Sequence, residues 1–446
     1  MTTLTKPIKK SRSLQETNTL TVPRLLWCIT LSLMIVPSTA SAGNEIPGAP
    51  QTRPIALTNC HIHPIVGPTI RKGTIVFENG RITAVGHEVP LKKKTEVIDL
   101  HGQHIYPGLI ESYSQIGLEE ISAVRASKDY SETGSINPNV RANISVNPDS
   151  EVIPVTRANG VLIAVSAPRS GRVSGVSSVM QLDGWTYEDM TLKAAAAMVV
   201  NWPSPPSSGE SPGLKVLREL CDDARAYKAA RNADTGHQEF DIRLDAMLPV
   251  LAGDLPVLAI ANKASEIQAA VSFAVEQKIR LIVFGGHDAE FCANLLKKHD
   301  VPVIIDSVHR RPSRRHEPYD VAYTLPARLS KAGVKFCISG SGRNETSNLR
   351  NLPYHAATAA AHGLSRGEAL RSVTLYPAQI LGVADRVGSL EPGKDATLIV
   401  TTGDPLETDT HVTQAFVQGR SVQLTSRHTR LRDKYLEKYR QQKQGE

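Results

Sequence analysis

Residues 105–118 read IYPGLIESYSQIGL. Ile105 and Tyr106 run into Pro107-Gly108, a dipeptide that marks a turn, and a new apolar run begins at once with Leu109-Ile110. One strand therefore ends here and another begins. Before the turn the chain alternates like a half-buried sheet, and after it strand-like and helix-like runs take turns. The turn thus divides a small β domain from a large α/β one.

Upstream, residues 43–105 carry IALTNCHIHPIV, GTIVFENGRITAVG and TEVIDLHGQHIYPG. Asn79-Gly80 between two β-branched runs is a hairpin signal, and Asp99-Leu100-His101-Gly102 reads as another, so a small antiparallel sheet is expected. Downstream, residues 106–386 alternate strand candidates (GVLIAVSAP, AAAAMVVNWP, LPVLAIAN, IRLIVFGG, VPVIIDSV, GVKFCISGS) with helical runs. That alternation argues for a parallel sheet, over about the length of an eight-stranded barrel, typically ~250 residues. Residues 264–278 place Ile267, Val271, Ala274 and Val275 on one helical face. Residues 387–425 return to short strands. Residues 426–446 form a basic helix with Leu431, Tyr435, Leu436 and Tyr439 on one face; the plain expectation docks it on the small sheet, and the alternative is a membrane surface.

The chain has 446 residues, 41% hydrophobic and 21% charged, the composition of a globular protein. Lys6, Lys9, Lys10, Arg12 and Arg24 precede an apolar run at 25–36 and the small residues Ala40-Ser41-Ala42, the layout of a cleavable export signal over residues 1–42. The run is too short for a stable span of the membrane, which needs about 20 apolar residues, so a periplasmic or secreted protein is expected. Losing those five bases and Glu16 takes the net charge from +7 to +3, which gives no reason to expect a nucleic-acid partner. Cys60, Cys221, Cys292 and Cys337 are widely spaced and read as isolated buried thiols.

The Pro-Gly-Leu-Ile run, ENGRITAVG, RVGSLEPGKDATLIV and GDPL occur in one order along nearly the whole chain after residue 42. This series resembles the amidohydrolase superfamily, and within it the imidazolonepropionase-like branch. The resemblance implies a (β/α)8 barrel inserted in a composite β-sandwich, and hydrolysis of a non-peptide carbon–nitrogen bond, as in a cyclic amide, by zinc or another divalent metal. It also implies metal ligands at the C-terminal ends of the barrel strands. Tyr113 and Gln115 stand where the first strand would carry two histidines. Asn201 ends the fourth, Ile260 takes the fifth-strand histidine slot, Gly285 the sixth with His287 two residues on, and Ser341 the aspartate slot of the eighth. Zinc prefers thiolate, imidazole and carboxylate, so no metal centre is expected, and two readings follow. In one the chain is still an enzyme, with a rearranged site that includes His287. In the other it is a pseudoenzyme that binds a small-molecule ligand or a partner at the barrel mouth.

Other groups carry weaker signals. Residues 168–180, PRSGRVSGVSSVM, read as a loop over the mouth, in which Arg169 and Arg172 either hold an anionic or carbonyl group or serve turn chemistry alone. Arg343 reaches the same mouth after strand eight. Residues 309–320, HRRPSRRHEPYD, are the densest positive patch, matched either to a carboxylate or phosphate or to solvent alone. His61 and His63 share one face of a strand in the small sheet and are expected on an exposed edge, far from the barrel. The oligomeric state is open at this level, a homo-oligomer included.

Overall fold

The early and late β segments join in a single sheet. The computed structural model describes residues 46–206, 208–209, 211–233, 239–341 and 345–444; the expected signal, residues 1–42, and Arg343 lie outside the described residues. Strands β1 (Ile55–Ile62), β2 (Ile70–Glu78), β3 (Arg81–Gly86), β4 (Glu96–Asp99) and β5 (His104–Pro107) come first. Then follow β6 (Leu109–Ser114), β7 (Val161–Ser166), β8 (Val173–Gln181), β9 (Thr191–Asn201), β10 (Val257–Ala261), β11 (Leu281–Gly285), β12 (Val303–Asp306) and β13 (Phe336–Ser339). The chain returns through β14 (Leu398–Thr401), β15 (Val412–Val417) and β16 (Arg420–Val422).

The first sheet runs β16-β15-β14-β5-β1-β2-β3, with β4 also paired to β1. Phe77 on β2 and Phe416 on β15 lie with ring centroids 5.2 Å apart. In a flat sheet four strand spacings would hold them about 19 Å apart, so the sheet folds over on itself as a sandwich around Leu57, Ile75, Ile105 and Leu398. The small sheet is not purely antiparallel as expected. β2 and β3 form the Asn79-Gly80 hairpin, but β4 and β5 both run parallel to β1 rather than against each other. Asp99 Oδ1 accepts the His101 N–H at 2.8 Å, so the local turn exists and only jogs one extended segment along β1. His61 and His63 are therefore not on an edge. β1 is internal, and His63 stacks on Tyr106 at 4.2 Å, with its Nε2 2.9 Å from His104 Nδ1.

The second sheet runs β13-β12-β11-β10-β9-β8-β7-β6. It is a nearly closed barrel of the expected eight strands, and one of them is reversed. β8 pairs antiparallel with both β7 and β9, so residues 173–180, expected in a loop, are buried strand. The reason is length: the short link from Ser166 to Val173 can make only a hairpin, since a parallel crossover needs a dozen residues or more. Ile110, Ile163, Val165, Val199, Leu258, Ile282, Ile304 and Cys337 fill the barrel. The seam between β6 and β13 is closed below by Ile110 N–H to Val373 and Ile338 N–H to Ser372, and above by Glu111.

The helix Ala264–Gln277 buries Ile267, Val271 and Ala274 as expected, but Val275 points outward at 50% exposure. The helix Arg427–Gln444 departs further: none of its residues is buried, so it does not dock its apolar face. Cys60, Cys221, Cys292 and Cys337 are free and buried, and burial pushes the Cys60 and Cys337 thiols up to about 12, which leaves these two unreactive.

Candidate functional site

At the C-terminal ends of the barrel strands, alternation decides which side chains face the axis, and an irregularity in β6 between Glu111 and Ser114 lets Tyr113 join Ile110 there. Tyr113 from β6 and Phe284 from β11 both face the axis, and their rings stack at 4.0 Å. Ile260, paired in register with Phe284, packs against the same cluster. The sixth-strand slot is thus Phe284 and not Gly285. Gly285 has φ +99, and a Cβ there would lie 2.2 Å from Asn262 Oδ1, so no ligand side chain fits at that position. Gln115 is fully buried, its Nε2 donating to the Ala167 carbonyl at 3.5 Å.

The polar groups of the mouth form one chain. Glu111, with no exposed surface, accepts from the Tyr113 N–H at 3.1 Å, the Gly340 N–H at 2.7 Å and the Ser339 hydroxyl at 2.5 Å. Ser339 Oγ lies 2.7 Å from Ser341 Oγ, which donates to Asp306 Oδ1 at 3.4 Å. Asp306 Oδ2 stands 3.8 Å from His287 Nε2, and that nitrogen is buried without a hydrogen-bond partner. Asp306 and His287 are both partly exposed. Glu111, Ser339 and Asp306 went unread in the sequence. Asp306 and Ser339 carried a signal, each a polar group at the end of an otherwise apolar strand, whereas Glu111 lies inside the half-polar β6.

The arginines are less available than expected. Arg172 donates to the Asn201 carbonyl, while Asn201 Nδ2 holds the Arg169 and Gly171 carbonyls at 3.0 and 2.6 Å; Arg169 itself is exposed. In the basic run 309–320, Arg314 grips both oxygens of Asp288, at 2.9 and 2.5 Å, and also Glu317. The Arg314 guanidinium holds the Asp288 carboxyl below its usual range.

These residues do not fit the divalent ion that the resemblance implies. Among the described residues no three His, Cys, Asp or Glu side chains converge so as to hold a metal, and a metal needs about three good protein ligands. A cleft of about 880 Å³ opens at the opposite end of the barrel, lined by Lys278, Arg280, His299, Lys335 and Tyr376 among others. Volume and chemistry lie at opposite ends, and in barrels of this type reacting groups stand at the C-terminal end.

Buried imidazoles give the molecule a marked acid limb. His355 stacks on His309 at 4.0 Å, and burial drives His355 down to about 3 and lowers His309 as well. Desolvation, with His104 beside it, brings His63 to about 4. Below pH 6.5 the unfolded chain binds protons that the folded chain refuses, so stability rises with pH. It is fully present above 6.5 and falls away as pH drops through 4 toward 3. The urea midpoint should decline across that window, and His355→Gln should flatten part of the slope. A midpoint constant from pH 6.5 to 4 would contradict this.

A family model described as the amidohydrolase family matches residues 261–423. An amidohydrolase from Thermotoga maritima MSB8 superposes with a TM-score of 0.76 at 26% identity, over 83% of this chain and 99% of that one. Phenylurea hydrolase B superposes at 0.53 with 16% identity, over 83% and 97%, a likeness of fold alone. Amidohydrolase tasK of Hapsidospora irregularis is 22% identical over 394 residues, 78% of this chain and 39% of that protein, so the chain spans about two-fifths of that relative's length. With the ordered motifs at both ends of the barrel and a known amidohydrolase superposing along almost its whole length, the chain belongs to the amidohydrolase superfamily.

Proposed function

We propose that this chain is an exported member of the superfamily, of the imidazolonepropionase-like branch, that has given up metal-dependent hydrolysis and binds a small hydrogen-bonding molecule at the barrel mouth. One observation carries the reading. The axis-facing positions 113, 260 and 284 hold a phenol, an isoleucine and a phenyl ring packed together, so the volume of a metal–water centre is filled with groups that neither bind a cation nor polarise a carbonyl. Asp306, Ser341 and His287 remain to orient a ligand.

Protein purified without chelator should carry well under one zinc or manganese per chain. Tyr113→His combined with Gln115→His should not restore the ion, because the fifth and sixth slots stay apolar. Stoichiometric metal in the natural chain, with amide hydrolysis that a chelator abolishes, would overturn the proposal. The 3.8 Å approach of His287 to Asp306 supports a second reading, metal-free acid–base catalysis of carbon–nitrogen bond hydrolysis. Turnover that persists in chelator and is lost in His287→Gln would favour it.

A further inference from the structure

Among the described residues, the helix Arg427–Gln444 is anchored at its start. His428 Nδ1 lies 3.1 Å from Arg350 Nη1, the Thr429 hydroxyl donates to the Ser426 carbonyl at 2.9 Å, and Arg430 pairs with Glu151 at 3.3 Å. Further along, the side-chain bonds seen stay within the helix, as between Arg440 and Glu437 or Gln441 and Glu437. Leu431, Tyr435, Leu436 and Tyr439 are 41%, 50%, 57% and 57% exposed, large apolar groups that a soluble surface has no reason to gather on one side.

The arrangement of charge identifies what covers this face. At 3.6 residues per turn, the four apolar residues fall within an arc of about 140°. Arg427, Lys434 and Lys438 lie along one edge of the stripe, and Arg432, Arg440 and Lys443 lie on its other side, about Leu436. Asp433 and Glu437 fall on the opposite side of the helix. The segment carries seven Lys and Arg against two acids, a net charge of +5. A second copy of this helix would bring like charges together along both edges. A surface that is apolar below and anionic above matches both features, with long basic side chains reaching outward while their stems cover the apolar face.

We propose that Arg427–Gln444 is an interfacial helix that docks the protein on an anionic lipid surface, lying in the headgroup plane. No helix among the described residues is long and apolar enough to cross a membrane, so the attachment is peripheral, reversible and weakened by salt. The barrel mouth takes no part in it, and the proposal stands whether or not the chain is an enzyme.

The test is co-sedimentation of the full-length chain with phosphatidylcholine vesicles that contain or lack phosphatidylglycerol. Binding is expected only to the anionic vesicles and should fall as salt is raised. Tyr435→Ser with Leu436→Ser removes part of the apolar stripe, and Lys434→Glu with Lys438→Glu reverses one basic edge; each pair should weaken binding about tenfold or more, since each basic group near such a surface is worth about 1 kcal/mol. Because these side chains are exposed, the urea midpoint should not move, which separates lost docking from lost folding. Equal binding to neutral vesicles, no binding to either, or binding that survives both pairs of changes would refute the proposal. So would a dimer in light scattering that the Tyr435→Ser and Leu436→Ser pair dissolves, which would make a second copy the occupant.

Discussion

Replacing Glu111 with alanine should lower folding stability by about 3–5 kcal/mol, the sum expected when buried donors lose their acceptor at about 1–3 kcal/mol each. Glu111 sits on β6 and has no exposed surface. Its carboxylate accepts hydrogen bonds from the backbone N–H groups of Tyr113 and Gly340 and from the Ser339 hydroxyl, and the last two donors lie on or just past β13, across the barrel seam. The two strands do not pair along their length, so this carboxylate replaces a ladder there. Alanine leaves buried donors without an acceptor, each costing about 1–3 kcal/mol, and opens a void at the seam. Glu111→Gln should cost less, because its amide oxygen keeps one acceptor while its NH2 faces donors. Urea unfolding of the three proteins provides the check. A cost below about 1 kcal/mol for alanine would mean that the seam is held by something other than Glu111.

Phe284→Ala should cost a similar amount, about 3–5 kcal/mol, as truncation of a buried phenylalanine does. The ring is only 6% exposed and stacks on Tyr113, itself 3% exposed. Its neighbours stand on separate rigid strands, so little can collapse into the space. Tyr113→Ala and the double variant complete a cycle. The double change should cost less than the sum of the single ones by about 0.5–1.5 kcal/mol, the worth of an aromatic pair beyond its buried area. Strict additivity would mean that the rings do not hold each other. The vacated space remains lined by groups such as Ile260 and Ile304, so the variant should gain no affinity for zinc.

Much of the fold was legible because its signals are local. Pro107-Gly108 marks the entry to the barrel, Asn79-Gly80 makes the hairpin of β2 and β3, and strand and helix alternate from Val257 onward as the apolar runs predict. The reversed β8 was legible in principle too, from the length of the link between Ser166 and Val173. It was missed because Gly and Ser ordinarily signal a loop, although Gly also serves a buried strand where another backbone packs closely against it. Gly175, where a Cβ would lie 2.7 Å from the Val140 carbonyl, is such a point.

The absence of imidazole and carboxylate at positions 113, 115, 260 and 341 is a property of the sequence alone, since residue identity fixes whether a side chain can ligate a metal at all. What fills the mouth is not. Whether Phe284 or Gly285 faces the axis depends on strand register, and a shift of one residue turns every side chain to the other face. The partners of Glu111 lie up to 229 positions away along the chain, so only closure of the barrel brings them together. The exposed stripe of the last helix has the same character. Its spacing is written in the chain, but whether another element covers it is a fact of packing, and no local pattern encodes a contact that the rest of the fold does not make.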